Sequence, residues 1–296
     1  MYSRIIKIAV SLVLLFGIDY IGHSILKHYC EKGFGLTQES DILMVGHSHL
    51  AMSINTSFLS KELGYSFTKY TRSGVDIHAR HLMANQYLES EYAASLKAVV
   101  FCVDAMTFTA EGLSANAYTL FYPWMDEELY KDMVYQQASL GEYIIHKIFR
   151  LSRYNQDLFS LALKSFMGSE DKNLKTNGLD LKDEPSKMSG TNIDFNPILM
   201  KELELAVEDA SKHNVKVILL QTPIAKYLLN GKGKEYAKVK SYYKSFSDNN
   251  PNVYYIDFTD ELSDQYDLFF NPTHLNVRGQ ELYTKTLCEK LKVVMQ

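Results

Sequence analysis

The stretch Asp41-Ile-Leu-Met-Val-Gly-His-Ser-His-Leu50 decides how the chain is read. Ile42–Val45 is a short, continuous apolar run without alternation, the pattern of a strand covered on both faces. Gly46 then permits a tight turn. Two residues later Ser48 stands where an open α/β sheet presents reactive groups, beyond the carboxyl end of a strand and at the start of a helix, Leu50–Leu63. The plainer reading is that Ser48 caps that helix, as serine often does.

Outward from this stretch the same alternation continues. Apolar runs at Ser66–Tyr70, Ala98–Val103, Val215–Gln221 and Val253–Phe258 are separated by helix-period segments. The segments lie at about Asp76–Tyr92, Pro197–His213, Lys234–Phe246 and Val277–Val294. The pattern predicts an α/β fold: a doubly wound, mostly parallel five-stranded sheet in an α/β/α sandwich. The interval from Asp104 to Val215 is too long for a loop. Its aromatic first part, with Phe121-Tyr-Pro-Trp124 and Leu140–Phe166, predicts a helical insertion over the active-site edge. Its second part, Gly168–Asp194, is polar and Gly-containing and reads as a linker.

Residues 5–26, IIKIAVSLVLLFGIDYIGHSIL, are long enough to cross a bilayer, although Lys7, Asp19 and His23 must then be accommodated. The unbroken apolar core, Ile8–Ile18, is of signal-peptide length, yet no small-x-small cleavage site follows it. The expected organisation is therefore a retained signal anchor over 1–32 and a domain over 33–296, with insertion and linker at about 105–196. The domain is expected outside the cytoplasm, periplasmic or extracellular. A helix lying on the membrane of a cytoplasmic protein is the alternative.

Composition narrows the function classes. With 46% hydrophobic and 22% charged residues the chain is neither disordered nor a coiled coil. A net charge of −4 and no basic run give nucleic acid no electrostatic footing. Cys30, Cys102 and Cys288 are too scattered for a disulfide scaffold or a zinc site.

A second chemical candidate lies near the C-terminus, Asn271-Pro-Thr-His274-Leu-Asn-Val-Arg-Gly279. A serine becomes nucleophilic only beside a base, and that base can come from anywhere in the chain, so His274 pairs naturally with Ser48. His47, Arg72 and Trp124 are candidate substrate contacts. An arginine suits a carboxylate or phosphate and an indole suits a sugar face, with packing inside the insertion the other role for Trp124. His47, His49, His78 and His81 lack a convincing pattern of metal ligands, so neither metal nor cofactor is expected.

From about Asp41 to Leu291 the chain resembles the SGNH (GDSL-like) hydrolases. Gly46-His-Ser48-His-Leu is similar to their first block, which implies Ser48 as nucleophile. Ser73-Gly74 is similar to the second, which implies that the Ser48 and Gly74 N–H groups form an oxyanion hole. Val103-Asp104 occupies the place of the block that normally adds an Asn, so the resemblance puts Asp104 in that hole. Asn271-Pro-Thr-His274-Leu-Asn-x-x-Gly279 is similar to the final Asp-x-x-His block, with His274 as base. Two departures are visible. An ionised Asp104 cannot donate to an oxyanion. Asn271 replaces the usual Asp, leaving Asn271 or nearby Asp267 to orient the imidazole. Anchor, variant first block and long insertion together are similar to membrane-anchored relatives in cell-envelope polymer acylation, such as the alanine-transfer protein of lipoteichoic acid synthesis. The resemblance implies an esterase or O-acyltransferase acting on an acylated envelope glycan. A domain that binds a glycan or a membrane-bound acyltransferase partner without catalysis is the second reading.

Overall fold

The Val- and Ile-rich runs form strands and the intervening segments helices in the computed structural model, which describes residues 2–109, 117–168 and 192–296. The helices are α1 (Tyr2–Gly33), α2 (Ser48–Ser53), α3 (Thr56–Leu63), α4 (Ile77–Leu88), α5 (Glu128–Gln137), α6 (Leu140–Ile148), α7 (Gln156–Phe166), α8 (Pro197–Lys212), α9 (Gly233–Asp248) and α10 (Val277–Met295). The strands are β1 (Ile42–Gly46), β2 (Phe67–Thr71), β3 (Ala98–Val103), β4 (Lys216–Gln221), β5 (Val253–Ile256), β6 (Phe269–Asn271) and β7 (His274–Leu275). The chain divides into two compact units: Gln38–Ser114 with Asp171–Gln296, and Met1–Thr37 with Ala115–Glu170.

The first unit is built on one parallel sheet of order β2-β1-β3-β4-β5. Every residue of β1 and β3 is buried, as is all of β4 except Lys216, which explains why these runs show no polar alternation. Each fully buried Val, Ile or Leu side chain contributes about 1.5–3 kcal/mol relative to exposure. The strand order reverses between β1 and β3, so the crevice for chemistry lies beyond the carboxyl ends of those two strands. Side-chain caps set several helix starts: Asp76 Oδ1 accepts from Ala79 N, and Asn196 Oδ1 from Ile198 N, with Pro197 at the first helical position. The expected helix Leu50–Leu63 is two helices, because Asn55 turns the chain and caps α3 through Phe58 N. The antiparallel pair β6–β7 is an addition that the apolar pattern did not announce.

The second unit joins α1 to the inserted helices, a grouping different from anchor plus domain. Asp19 accepts hydrogen bonds from the backbone N–H groups of Arg150 and Leu151, and the Cys30 thiol donates to Leu158 O. The predicted helical stretch Leu140–Phe166 breaks into α6, a 3-10 turn at Arg150–Arg153, and α7. A Ser139–Glu142 capping box starts α6, and the Asn155 side chain starts α7. Among the described helices α1 alone is long and apolar enough to cross a membrane, with a mean hydropathy of 2.0 over its best 18 residues. Of the Gly168–Asp194 linker, residues 169–191 lie outside the described structure.

Candidate active site

β1 ends in Gly46, and the backbone there passes so close to its neighbours that a side chain has no room. A Cβ on Gly46 would stand 2.6 Å from Cys102 Cβ and 2.8 Å from Leu50 Cβ. That close approach lets the chain turn at once into α2, whose first residue is Ser48. Ser48 is half-buried between the buried His47 and His49.

His274 arrives from the other end of the sequence. Asn276 caps α10 through Gly279 N, and its side-chain amide donates to Asp267 O. Gln280 Nε2 donates to Met52 O, tying α10 to the helix that carries Ser48. Ala225 N donates to Pro272 O, which fixes the loop from the β4 side. Held this way, His274 Nε2 lies 2.8 Å from Ser48 Oγ. Its other nitrogen, Nδ1, lies 2.9 Å from Asn271 Oδ1. The same oxygen accepts from the backbone N–H groups of Thr273 and His274, both at 3.0 Å, so it is held as an acceptor. Nδ1 therefore carries the proton, and the Nε2 lone pair faces the serine hydroxyl. Burial, with a smaller push from His49, lowers the His274 pKa to about 4, so the ring is neutral near pH 7.

The structure thus brings Ser48, His274 and Asn271 into one hydrogen-bonded line. Asp267 is not in it. Its carboxylate sits 3.1 Å from the Arg278 guanidinium, and Asn271 is the residue on Nδ1. Gly74 lies in the turn after β2 with φ +76°, a left-handed conformation that glycine adopts without a Cβ penalty.

Asp104 corrects the expectation attached to it. Its carboxylate is an acceptor, not an oxyanion donor: Oδ2 accepts a hydrogen bond from His47 Nε2–H at 2.9 Å, and Oδ1 accepts from Met106 N at 2.8 Å. Burial works to raise its pKa, but the hydrogen bonds of His47 and His49 prevail and hold it well below the carboxylate range. His49 Nδ1 lies 3.1 Å from the same Oδ2, and the His49 ring meets that of His274 edge to face at 5.1 Å between centroids. A buried His47–Asp104–His49 group thus stands directly behind the serine, and sequence reading missed it. His47 and His49 Nδ1 and Nε2 atoms with a carboxylate are metal-ligand types. However, His47 Nδ1 accepts from His49 N at 3.1 Å, which puts the ring proton on Nε2 and directs that atom to Asp104 rather than to an ion. Burial also lowers the His47 pKa to about 3.

The other proposed substrate contacts move as well. His47 is used by Asp104. Arg72 is buried with its guanidinium over the Tyr70 ring, 5.5 Å from the centroid, and donates to Tyr70 Oη. Trp124 belongs to the helical unit, where it is fully buried and donates to Glu31, so its ring is not a sugar platform.

No family model matches the chain, and no curated protein matches it. Solved structures do. A Bacteroides fragilis protein provisionally called an acylhydrolase shares 11% identity, with 90% of this chain and 96% of that one covered and a TM-score of 0.47. A Streptococcus pneumoniae protein provisionally called a platelet activating factor shares 13%, covering 96% and 99%, at 0.43. The catalytic domain of peptidoglycan O-acetyltransferase A from Streptococcus pneumoniae shares 11%, covering 87% and 95%, at 0.39. None of these likenesses transfers an activity to this chain.

Proposed function

We propose that this protein is a membrane-anchored serine esterase or O-acyltransferase acting outside the cytoplasm on an acylated envelope or extracellular glycan. The observation that carries the reading is the line Ser48 Oγ–His274 Nε2–Asn271 Oδ1, at 2.8 and 2.9 Å. His274 takes the hydroxyl proton as Ser48 Oγ attacks an ester carbonyl. The Ser48 and Gly74 N–H groups receive the oxyanion, since Asp104 has no proton to offer. His274 returns the proton to the leaving alcohol, and an acyl-enzyme remains. Water or a sugar hydroxyl, deprotonated by His274, then takes the acyl group and frees Ser48. The two outcomes share every residue and differ only in the acceptor. Asn271 orients the imidazole but brings no negative charge to the imidazolium, which makes the site a slow version of a carboxylate triad. That substitution is also what favours the second reading, a catalytically weak or inactive domain that binds a glycan or a membrane acyltransferase partner.

Fluorophosphonate labelling of the full chain in detergent tests the chemistry. Covalent modification at Ser48 that disappears in Ser48→Ala supports the enzyme; an unlabelled protein that still retains acylated glycan supports the binding reading. The topology is checked separately by external protease on spheroplasts bearing a C-terminal tag. Digestion of the tag is expected, and protection until lysis defeats the extracytoplasmic placement.

A further inference from the structure

We propose that α6, the turn Arg150–Arg153 and α7 form a platform embedded in the lipid–water interface around α1, occupied by a phospholipid bilayer. The proposal rests on the membrane-anchored reading above. Four exposed side chains of α6, Leu140, Ile144, Ile145 and Ile148, recur at helical spacing and so share one face. On α7, Phe159, Leu163, Phe166 and the following Met167 do the same, while Leu158, Ala162 and Ser165 on the other face are buried. Helices with one broad apolar face left to the outside are the kind that lie in a membrane interface.

Continuity with α1 identifies the occupant. Ile5–Ile18, at ~1.5 Å per residue, covers only about 21 Å of a hydrocarbon core ~30 Å thick. The next six or so residues must complete the crossing, and the insertion packs on those residues. Phe16 and Phe149 stack with ring centroids 6.2 Å apart. Asp19, buried at 7% exposure, spends its carboxylate on Arg150 N and Leu151 N, so no bare charge meets lipid. Leu151 sits directly over Gly22. The start of the 3-10 turn is therefore at bilayer depth, and the apolar faces of α6 and α7 extend from it. Arg150 holds its guanidinium over the Tyr20 ring at 4.8 Å, which gives that cation a partner inside the platform.

Tryptophan quenching on the full chain in 3:1 phosphatidylcholine:phosphatidylglycerol nanodiscs tests this. Leu14→Trp, Ile144→Trp, Phe159→Trp and Leu282→Trp are each compared with the unaltered chain, whose single buried Trp124 supplies the background. Lipids brominated at carbons 6,7 or 11,12 are the quenchers. Ile144→Trp and Phe159→Trp are expected to lose at least half their added fluorescence to the 6,7 lipid and less to the 11,12 lipid. Leu14→Trp should favour the deeper quencher, and Leu282→Trp should be unaffected. If Leu14→Trp is quenched but Ile144→Trp and Phe159→Trp behave like Leu282→Trp, the platform is overturned and a protein or water covers that face. If Leu14→Trp also escapes quenching, the anchor reading falls first and the platform with it.

Discussion

Among the described residues the sheet unit exposes three large apolar side chains, Ile198, Leu282 and Val293, whereas the helical unit exposes twenty-five. The helical unit does so with about half as many described residues. The two also use buried polar groups differently. In the sheet unit His47, His49 and Asp104 are buried together beside Ser48 and His274. In the helical unit Asp19 and Arg153 are consumed in satisfying backbone and pairing with Asp126. One unit buries its apolar groups in its own core and holds reactive side chains at its edge. The other turns many of its apolar groups outward. On the proposed reading, chemistry and attachment are separated in the chain.

The largest effect that sharpens this division is loss of turnover. Ser48→Ala and His274→Ala in the full chain should each cut p-nitrophenyl acetate hydrolysis by about 10⁴-fold. The double change Ile144→Ser/Phe159→Ser in detergent should leave it within about twofold. Equal losses from both sets would abolish the distinction between the units. Next in size is acid tolerance. Because His274 is held near 4, the neutral base persists as pH falls, and the acid limb of kcat/KM should have its midpoint near 4. At pH 4.5 an ordinary histidine, with a pKa of ~6.5, would be only about 1% neutral, so the difference is about 100-fold. A midpoint at the ordinary value would show that the site opens to water. Asn271→Asp should raise turnover about tenfold by stabilising the imidazolium, part of the ~10⁴ separating Asp from Asn in the serine-protease triad. It should also move the acid limb upward. A flat rate with an unmoved limb would mean that Asn271 does not act on His274.

The smallest effect lies where α4 meets α8. The Glu202 carboxylate hydrogen-bonds His78 and raises its pKa; for His81, burial opposes the rise, but Glu202 and Asp209 prevail. A raised histidine stabilises the fold below its unfolded pKa and loses that contribution as pH climbs through the folded value. Glu202→Gln should therefore lower the unfolding free energy more at pH 6 than at pH 9, by about 0.5–1 kcal/mol for a solvent-screened cluster, as read from denaturant unfolding at the two pH values. A larger penalty at pH 9 would reverse the sign and refute it.

What sequence made legible follows from how local each signal is. A parallel strand is a four- to six-residue event, so β1, β3 and β4 stood out as apolar runs. Ser48 and His274 were visible because each follows a short structural punctuation, Gly46 and Pro272. The His47–Asp104–His49 group was not. Its members lie 57 residues apart at the histidine–carboxylate bond and meet only because β1 and β3 are neighbours in the sheet. Arg72 and Trp124 misled for a related reason: a residue type that suits a ligand says nothing of burial, and both side chains are covered. Asp19 looked like a cost to a membrane helix, and its compensation lies on a segment that no local window contains.

That last bond has a consequence for how the protein is made. Asp19 and the N–H of Arg150 are 131 residues apart. At ~5–20 residues per second, the ribosome adds Arg150 roughly 7–26 s after Asp19. For that interval the carboxylate travels with α1 uncapped, and only the arrival of the insertion allows it to be hidden. The insertion is itself synthesised between β3 and β4, before the sheet has its last two strands. The pairing of Asp19 with the insertion can therefore form while the sheet that carries Ser48 and His274 still lacks β4 and β5.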